Sequence, residues 1–391
     1  MKAKKVLLVK YGEISLRKGN RGHAERGLIS IIKKRLEGEK GVLVKREQGR
    51  FVIESDGGDL DTEAVLARIR RIFGIVGFCH ALKTDERDPG ALAELARGFF
   101  AENAAGARSF RVSVKRGDKS FPLMSNELAG LIGEAIRRTG CPVDLRSPEA
   151  NLHVEIRTGA YLYFDSEAGE GGLPYGSSGK GVLLLSGGFD SPVAGFLAAR
   201  RGIEILPVYF HTPPYVSEMA LAKVKDICGK LAGFTGAVSL LEAPFTELQM
   251  FLRDSVQREK LTIMTKRAML RMASMYADAQ GAGCLVTGDS VGQVASQTVA
   301  SLHAVNSASA HAILRPCAAL DKREIIGIAQ RIGTADISKL PYDDCCTLFL
   351  AKHPEIRPKA AIIERIEARL MPALAPLLDG ALAGASLREF G

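Results

Sequence analysis

The sequence has no Cys-x-x-Cys pair and no apolar run long enough to cross a membrane. Its seven cysteines are odd in number and irregularly spaced, which suits a reducing compartment better than a disulfide framework. The first five residues lead into a strand-like run and not into the hydrophobic region of a signal peptide. We therefore expect a cytoplasmic protein that has no membrane partner.

Positive charge is concentrated in the first part of the chain. Residues 1–150 contain 29 Lys and Arg against 20 Asp and Glu, so they carry the whole formal net charge of +9. A local excess of this size favours a polyanion as partner. The alternative is that these basic side chains form a solvated surface that binds no polyanion. The length of 391 residues predicts two or three domains.

Residues 1–75 have the pattern of a small α+β domain. Two helices and several strands in this length favour a ferredoxin-like sandwich. The expected elements are a strand over 5–10, helices over 20–36 and 62–73, and a hairpin from 42–44 and 51–53.

Residues 76–167 predict a second α+β unit. Its spacing of Phe110-x-Val112, then Lys115-Arg116-x-Asp118-Lys119, then Ser125-Asn126-Glu127 resembles the THUMP domain, an RNA-binding module of RNA-modifying enzymes. The expected elements are helices over 91–102 and 126–138, a strand over 110–114, and a hairpin from 152–156 and 160–164.

A Gly- and Ser-rich stretch, residues 168–180, follows this unit. Such a composition marks a linker. We therefore expect a domain boundary there, with residues 181–391 forming the last domain.

The last domain is organised around the run from Val182 to Arg200. Its first four residues are apolar and predict a strand that is buried on both faces. The string Ser186-Gly187-Gly188-Phe189-Asp190-Ser191 follows, in which the glycines allow a sharp turn and a close backbone approach to a ligand. Ser191 is expected to cap a helix that begins at Pro192. The strand, turn and helix N-terminus together predict an anion site, where Asp190 can orient hydroxyls or hold Mg²⁺.

This string resembles the SGGxDS pyrophosphate-binding loop of the PP-loop ATP pyrophosphatases, which split ATP between the α and β phosphates. It is not a Walker A loop, because the nearest candidate, Gly179-Lys180, is followed by Gly181 and precedes its strand. The alternative is an ordinary strand-to-helix turn.

Residues 181–391 alternate between strand and helix patterns. Further strands are expected over 204–211 and 238–242 and from Cys284 onward. The alternation predicts a doubly wound parallel sheet, which binds ligands at the carboxyl ends of its strands. Three stretches fall at such ends, namely Ser186 to Ser191, Tyr209-Phe210-His211 and Gly288-Asp289-Ser290.

Two adjacent cysteines, Cys345 and Cys346, follow the polar residues 342–344. An accessible cysteine can carry a persulfide, and a second thiol nearby can resolve the resulting disulfide. The alternative is a pair of small buried residues after a turn. We expect Cys345 to be exposed and to handle sulfur, whereas Cys346 begins an apolar run and is expected to be secondary.

Together these stretches resemble the tRNA 4-thiouridine synthetases, also known as the thiamine-biosynthesis sulfurtransferase family. The resemblance covers essentially the whole chain, including Lys10–Ile14 and Gly288–Thr298. It implies an α/β PP-loop domain, preceded by a ferredoxin-like domain and a THUMP domain. In that family the enzyme adenylates O4 of uridine 8 of tRNA, and a persulfide sulfur then displaces AMP. The family also passes sulfur toward the thiazole of thiamine.

The resemblance implies catalytic roles for Asp190, Cys345 and Cys346, and ATP with Mg²⁺ as cofactors. Lys266 can neutralise phosphate charge in the transition state, and Gln297 can offer a donor and an acceptor to a base edge. No metal site made by the protein alone is expected. The ATP-binding residues that the resemblance implies are Leu184, Leu185, Ser186, Gly187, Gly188, Asp190, Ser191, Tyr209, Phe210, Lys266, Arg267, Gly288 and Gln297.

The expected partners are tRNA, a cysteine desulfurase as sulfur donor, and the sulfur-carrier protein of thiamine synthesis. Longer family members append a rhodanese domain that bears the persulfide cysteine, and we expect this chain to be the short form without one. Either Cys345 receives sulfur directly from the desulfurase, or a separate rhodanese delivers it. The sequence leaves a homodimer open. It also leaves open another PP-loop tRNA-modifying enzyme, or a THUMP RNA-binding protein without thiolation activity.

Overall fold

The chain folds into two compact units, Met1–Leu173 and Pro174–Gly391. The computed structural model describes residues 3–16, 19, 21–47, 49–342, 349 and 354–391. The break between the units lies within the Gly- and Ser-rich stretch. Backbone hydrogen bonds hold this stretch on both sides of the break, from Gly171 N to Ile75 O at 2.7 Å and from Ser178 N to Gly202 O at 2.8 Å. No helix in the described ranges is long and apolar enough to cross a membrane.

The described residues of the first unit form a mixed sheet, four α-helices and a short 3-10 helix. Its elements in chain order are β1 (Ala3–Tyr11), a short 3-10 helix (Glu13–Leu16), α1 (Arg21–Arg35), β2 (Val42–Glu47), β3 (Arg50–Ser55), α2 (Thr62–Ile69), β4 (Ile75–Thr84), α3 (Pro89–Ala104), β5 (Phe110–Arg116), α4 (Ser125–Arg137), β6 (Ala150–Ile156), β7 (Ala160–Tyr163) and β8 (Glu167–Ala168).

The strand order in this sheet is β2-β3-β1-β4-β7-β6-β5, with β8 paired to β4. Both predicted hairpins, β2–β3 and β6–β7, are confirmed as antiparallel pairs. Strand β4, which was not predicted, pairs with β1 over nearly its whole length and with β7 over its second half. The ferredoxin-like and THUMP regions therefore share one continuous sheet.

The helices of the first unit pack on one face of this sheet. Leu28 of α1 and Leu66 of α2 are fully buried in the same cluster as Leu7 and Val9 of β1. Helices α3 and α4 bury a second cluster against β5, β6 and β7. Asp88 fixes the start of α3, because its carboxylate accepts a hydrogen bond from Ala91 N at 2.8 Å.

The second unit alternates strands with helices, as its sequence predicts. Its elements are β9 (Lys180–Leu184), α5 (Asp190–Arg200), β10 (Glu204–His211), α6 (Glu218–Thr235), β11 (Val238–Pro244), α7 (Thr246–Ser255), α8 (Arg258–Gln280), β12 (Cys284–Val286), a short 3-10 helix (Ala295–Gln297), α9 (Val299–Asn306), β13 (Ala312–Leu314), α10 (Lys322–Ile332), α11 (Ala335–Ser338), α12 (Ala360–Ala383) and β14 (Ser386–Phe390).

The sheet of this unit has the strand order β13-β12-β9-β10-β11-β14. The first five strands are parallel, which confirms the predicted doubly wound α/β class. Strand β14 was not predicted and adds an antiparallel edge to β11. The chain moves outward from β9 through β10 to β11, and later returns to the other side of β9 with β12. The strand order therefore reverses between β9 and β12, and such a switch point is where ligands bind in open α/β sheets.

The start of α5 differs from its prediction. The helix begins at Asp190, its N-cap residue is Phe189, and no side chain caps it. Ser191 is inside the first turn, where its Oγ accepts a hydrogen bond from Ser186 N at 2.9 Å. The hydroxyl thus holds the preceding loop and does not cap the helix.

Candidate active site

A cavity of about 520 Å³ opens at the reversal of strand order, at the carboxyl ends of β9, β10 and β12. Its size is in the range of small-molecule sites. Ten of the residues predicted for ATP binding line it, namely Leu184, Leu185, Ser186, Asp190, Ser191, Tyr209, Phe210, Lys266, Gly288 and Gln297.

Residues 186–191, here called the pyrophosphate loop, connect β9 to α5. Within it, the hydroxyls of Ser186 and Ser191 are 3.1 Å apart, and Gly188 N donates to Ser186 Oγ at 3.4 Å. These bonds shape the turn in front of the α5 N-terminus. A helix N-terminus presents N–H donors and the positive end of a dipole, which is the arrangement that binds phosphate.

Gly288 packs against this helix start. A Cβ placed on Gly288 would lie 2.5 Å from Ser191 N and 2.7 Å from the carbonyl carbon of Asp190. Any side chain would therefore push the end of β12 away from α5. Glycine is therefore required here by contact with the helix.

The carboxylate of Asp289 forms ion pairs with two basic side chains that line the cavity. Lys266 Nζ lies 3.0 Å from its Oδ1, and Arg315 Nε lies 3.3 Å from its Oδ2. Thr287 also donates to it, at 2.8 Å. Burial alone would raise the pKa of Asp289, but Lys266, Thr287 and Arg315 together hold it below its usual value. The carboxylate stays ionised and keeps two cations at the cavity wall.

Asp190 has a separate set of partners. Lys322 Nζ donates to both of its carboxylate oxygens, at 2.9 and 3.1 Å, and Gln293 Nε2 donates to Oδ2 at 3.1 Å. The carboxylate is 22% exposed. A ligand at the loop therefore meets a carboxylate and an ammonium side by side.

Gln297 brings a buried side-chain amide to the cavity. The residue is 8% exposed, and its Nε2 is 3.4 Å from Asp289 Oδ1. Its buried Oε1 accepts no hydrogen bond from the described residues. An unpaired buried acceptor is costly, so the geometry fits a ligand that donates an N–H there. The exocyclic amino group of a purine such as adenine is a donor of this kind.

Arg267 does not line the cavity, in contrast to its prediction. It is 1% exposed, donates to Glu367 Oε2 of α12 at 2.5 Å, and also donates to Ala304 O. Arg271 binds the same carboxylate. Adjacent residues of α8 point in different directions, so Lys266 faces the cavity while Arg267 faces α9 and α12.

Gly187 and Gly188 belong to the loop but are not among the residues that line the cavity. A Cβ on Gly187 would meet the stem of Lys223, 3.0 Å from its Cδ. Cys345 and Cys346, the predicted sulfur-handling pair, lie outside the described residues.

The sequence placed Asp289 at the carboxyl end of its strand but gave it no role, and three further polar residues of this site were missed. Gln293 belongs to the stretch after β12 that the resemblance covers, and the polar run directly after a strand is a signal that could have marked it. Arg315 also follows a strand directly, at the end of β13. Lys322 had no such signal, because only the fold brings the start of α10 to Asp190.

The fold and the cavity define a nucleotide-binding enzyme of the α/β PP-loop class. Family models match three parts of the chain, with the descriptions ThiI ferredoxin-like domain over residues 6–79, THUMP domain over 86–165, and Thiamine biosynthesis protein (ThiI) over 176–371. The chain belongs to this thiamine biosynthesis protein (ThiI) family.

Two curated relatives are each named "Probable tRNA sulfurtransferase". That of Thermoanaerobacter sp. strain X514 is 41% identical over 370 residues, covering 93% of this chain and 95% of the relative. That of Thermoanaerobacter pseudethanolicus is 42% identical over 359 residues, covering 90% and 92%. A solved structure described as a 4-thiouridine synthetase–RNA complex with bound ATP matches with a TM-score of 0.88 and 34% identity, over 99% of this chain and 100% of the other.

Proposed function

We propose that the chain is an ATP-dependent tRNA sulfurtransferase that converts uridine 8 of tRNA to 4-thiouridine. The observation that supports this proposal most directly is the cavity at the reversal of strand order. The pyrophosphate loop lies there together with the buried oxygen of Gln297, which can accept a hydrogen bond from a purine amino group, and with the cations Lys266 and Arg315. The names of the relatives and the RNA and ATP of the similar structure support the same activity.

In the first step, O4 of the uridine attacks the α-phosphorus of ATP, and pyrophosphate leaves. The pyrophosphate loop binds the departing β- and γ-phosphates through its N–H groups and hydroxyls. Lys266 and Arg315, held by Asp289, stabilise the negative charge that grows on the phosphates in the transition state. Gln297 accepts a hydrogen bond from the adenine amino group, which orients the nucleotide for in-line attack.

We propose that Mg²⁺ binds together with ATP. The described residues contain no group of three or more His, Cys, Asp and Glu that could hold a metal ion. Asp190 is the carboxylate that would hold the ion beside phosphate oxygens, which suits the usual preference of Mg²⁺ for one or two carboxylates plus phosphates. When bound, the ion supplies charge neutralisation of the leaving pyrophosphate.

In the second step, a persulfide sulfur attacks C4 of the adenylated uridine, and AMP leaves. We assign the persulfide to Cys345, so the attack leaves a disulfide between Cys345 Sγ and the new sulfur on C4 of the uridine. The Cys346 thiol then attacks Cys345 Sγ, which releases 4-thiouridine and leaves a Cys345–Cys346 disulfide that an added dithiol reduces. The sulfur comes from a cysteine desulfurase, directly or through a separate rhodanese. Transfer to a sulfur-carrier protein for the thiamine thiazole is part of the same proposal.

We also propose the division into residues 1–75, 76–167 and 181–391, with 168–180 between them, as a ferredoxin-like domain, a THUMP domain and a PP-loop domain. We propose that tRNA binds to the basic side chains within residues 1–150. A homodimer is compatible with the proposal and is not required by it.

The proposal is tested by incubating tRNA with the protein, ATP, Mg²⁺, a cysteine desulfurase and cysteine, followed by nucleoside analysis. We expect 4-thiouridine to form only when ATP is present. Cys345→Ser should still release pyrophosphate and form no thiouridine, whereas Cys346→Ser should retain thiolation when a reductant is added. Full thiolation by Cys345→Ser would show that a partner's sulfur acts directly on the activated uridine.

A further inference from the structure

The guanidinium of Arg315 is held by two partners on different parts of the second unit. Its Nε donates to Asp289 Oδ2 at 3.3 Å, and its Nη2 donates to Asn306 Oδ1 at 2.6 Å. Arg315 lines the cavity, and neither of these bonds uses its Nη1. Because the guanidinium is planar and rigid, fixing two of its nitrogens also fixes the direction of the third. Asn306 therefore helps to orient a cation of the cavity wall.

Asn306 is the last residue of α9, and the end of this helix is bound by Arg267 of α8. Arg267 Nη1 donates to Ala304 O and, at 2.7 Å, to Ser307 Oγ. These two acceptors lie within two positions of Asn306 in the sequence. One buried side chain of α8 therefore fixes the turn that carries Asn306.

Arg267 is itself held by a carboxylate of α12. Its Nη2 donates to Glu367 Oε2 at 2.5 Å, and Arg271 donates to both oxygens of the same carboxylate. Arg267 is 1% exposed and Glu367 is 2% exposed. Burial alone would raise the pKa of Glu367, but hydrogen bonds from Arg271 and Arg267 hold it below its usual value. Glu367 therefore stays ionised and balances the buried charge of Arg267.

These contacts form a closed ring that begins and ends on two neighbouring residues of α8. Lys266 contacts Asp289, and Asp289 contacts Arg315. Arg315 in turn contacts Asn306, at the end of the helix that Arg267 holds. Arg267 thus acts on the cavity wall through α9, although it does not line the cavity.

We propose that Arg267 and Asn306 are positioning residues that hold the guanidinium of Arg315 toward the phosphates of the nucleotide. Without Asn306, the guanidinium keeps only its bond to Asp289 and can turn away from the ligand. Without Arg267, the last turn of α9 loses both bonds to α8, and Asn306 moves with it. The inference rests on the proposed function, because it concerns the step in which pyrophosphate leaves.

The test is a double-mutant cycle on pyrophosphate release, measured in a single turnover with saturating ATP, Mg²⁺ and tRNA. We expect Arg315→Met to slow release by about 100-fold, because it removes a cation that stabilises the transition state. Asn306→Ala and Arg267→Met should each slow release by about tenfold and change the Kd for ATP by less than about threefold, because they misplace that cation without removing it. In the Arg315→Met background, each should slow release by less than about a further twofold, because the group that they orient is absent.

Arg271→Met is the matched control. It removes a cation from the same buried carboxylate, but the described hydrogen bonds of Arg271 go to Glu367 and not to α9. It should lower the Tm as Arg267→Met does, because both break a buried ion pair, and should keep the release rate within about twofold of the wild type. Ser307→Ala leaves the ion pair intact and should slow release by about threefold, which keeps the test open if Arg267→Met does not fold.

Equal effects of Asn306→Ala in the two backgrounds would overturn the inference, because a merely structural role is additive with the loss of Arg315. The inference would also be overturned if Arg271→Met slowed release as much as Arg267→Met. In both cases a wild type that forms 4-thiouridine leaves the proposed function intact. A wild type that releases no pyrophosphate with ATP and tRNA would contradict the proposed function, and the inference with it.

Discussion

Lys322 donates hydrogen bonds to both carboxylate oxygens of Asp190, although the two residues are 132 positions apart. The pair brings the start of α10 to the start of α5, beside the pyrophosphate loop. The negative charge of Asp190 at the cavity is therefore partly neutralised by the ammonium of Lys322.

This pair leads to the first prediction. Asp190→Ala and Lys322→Met should each lower pyrophosphate release with tRNA by about 100-fold. Asp190→Ala removes the carboxylate that would hold Mg²⁺ beside the phosphates, and Lys322→Met removes a cation that faces their negative charge in the transition state. Binding of tRNA should change by less than about twofold, since the excess basic charge lies in residues 1–150. Pyrophosphate release and filter binding measure the two quantities. Equal loss of both in a folded variant would show that the tRNA surface includes this site.

The second prediction concerns the contact of Gly288 with α5. Gly288→Ala should destabilise the protein by roughly 1–3 kcal/mol and abolish ATP binding, because a Cβ would lie 2.5 Å from Ser191 N. Gly283→Ala is the control, since a Cβ there meets no atom within 4 Å. Thermal unfolding and nucleotide titration would check both. Normal ATP binding by Gly288→Ala would show that the site still binds the nucleotide when the end of β12 moves away from the start of α5.

The third prediction is a pH dependence of stability in the first unit. Burial of Glu54 would raise its pKa, but hydrogen bonds from Lys45, Lys83 and Lys4 lower it from 4.5 to about 2. The ionised form is therefore favoured by folding, and its contribution is present above about pH 4.5 and lost as the pH falls toward 2. Glu54→Gln should lower the unfolding free energy at pH 7 by roughly 1–3 kcal/mol.

The difference between Glu54→Gln and the wild type should shrink as the pH falls from about 4.5 to 2. Glu364→Gln, at an exposed position of α12, should stay within about 0.5 kcal/mol of the wild type. Denaturant titrations at several pH values provide the measurement. A difference that does not change with pH would mean that the carboxylate is not stabilised by its lysines.

The fourth prediction concerns salt. Log affinity for tRNA should fall steeply with log salt concentration, because binding releases the counterions of the neutralised phosphates. Replacing the exposed Lys115 and Lys119 by Ala should reduce that slope by about 1–2 if both contact phosphates. Replacing two other exposed basic residues, Lys359 at the N-cap of α12 and Arg369 within α12, should leave the slope unchanged. An unchanged slope in the first variant would place the RNA surface elsewhere.

Much of the fold was predictable from local patterns. The apolar run before Ser186 and the alternation of strands and helices that follows it indicated a parallel sheet, and both hairpins of the first unit were predicted from pairs of short strand-like runs. Strand β4 was missed even though it lies at the centre of its sheet. Its pairing with β1 and β7 is long-range, and a window along the sequence contains no information about partners 70 residues away.

The sequence by itself determined the family, the pyrophosphate loop and ten of the residues that line the cavity, because each depends on residue types in a short string. Only the tertiary structure decided how charges are paired. Arg267 and Lys266 are adjacent in the sequence, but the turn of the helix sends one to Glu367 and the other to Asp289. The partners of Asp190 and the contacts of Lys223 depend likewise on how α10, α11 and α6 pack around β9, and packing is a property of the whole unit.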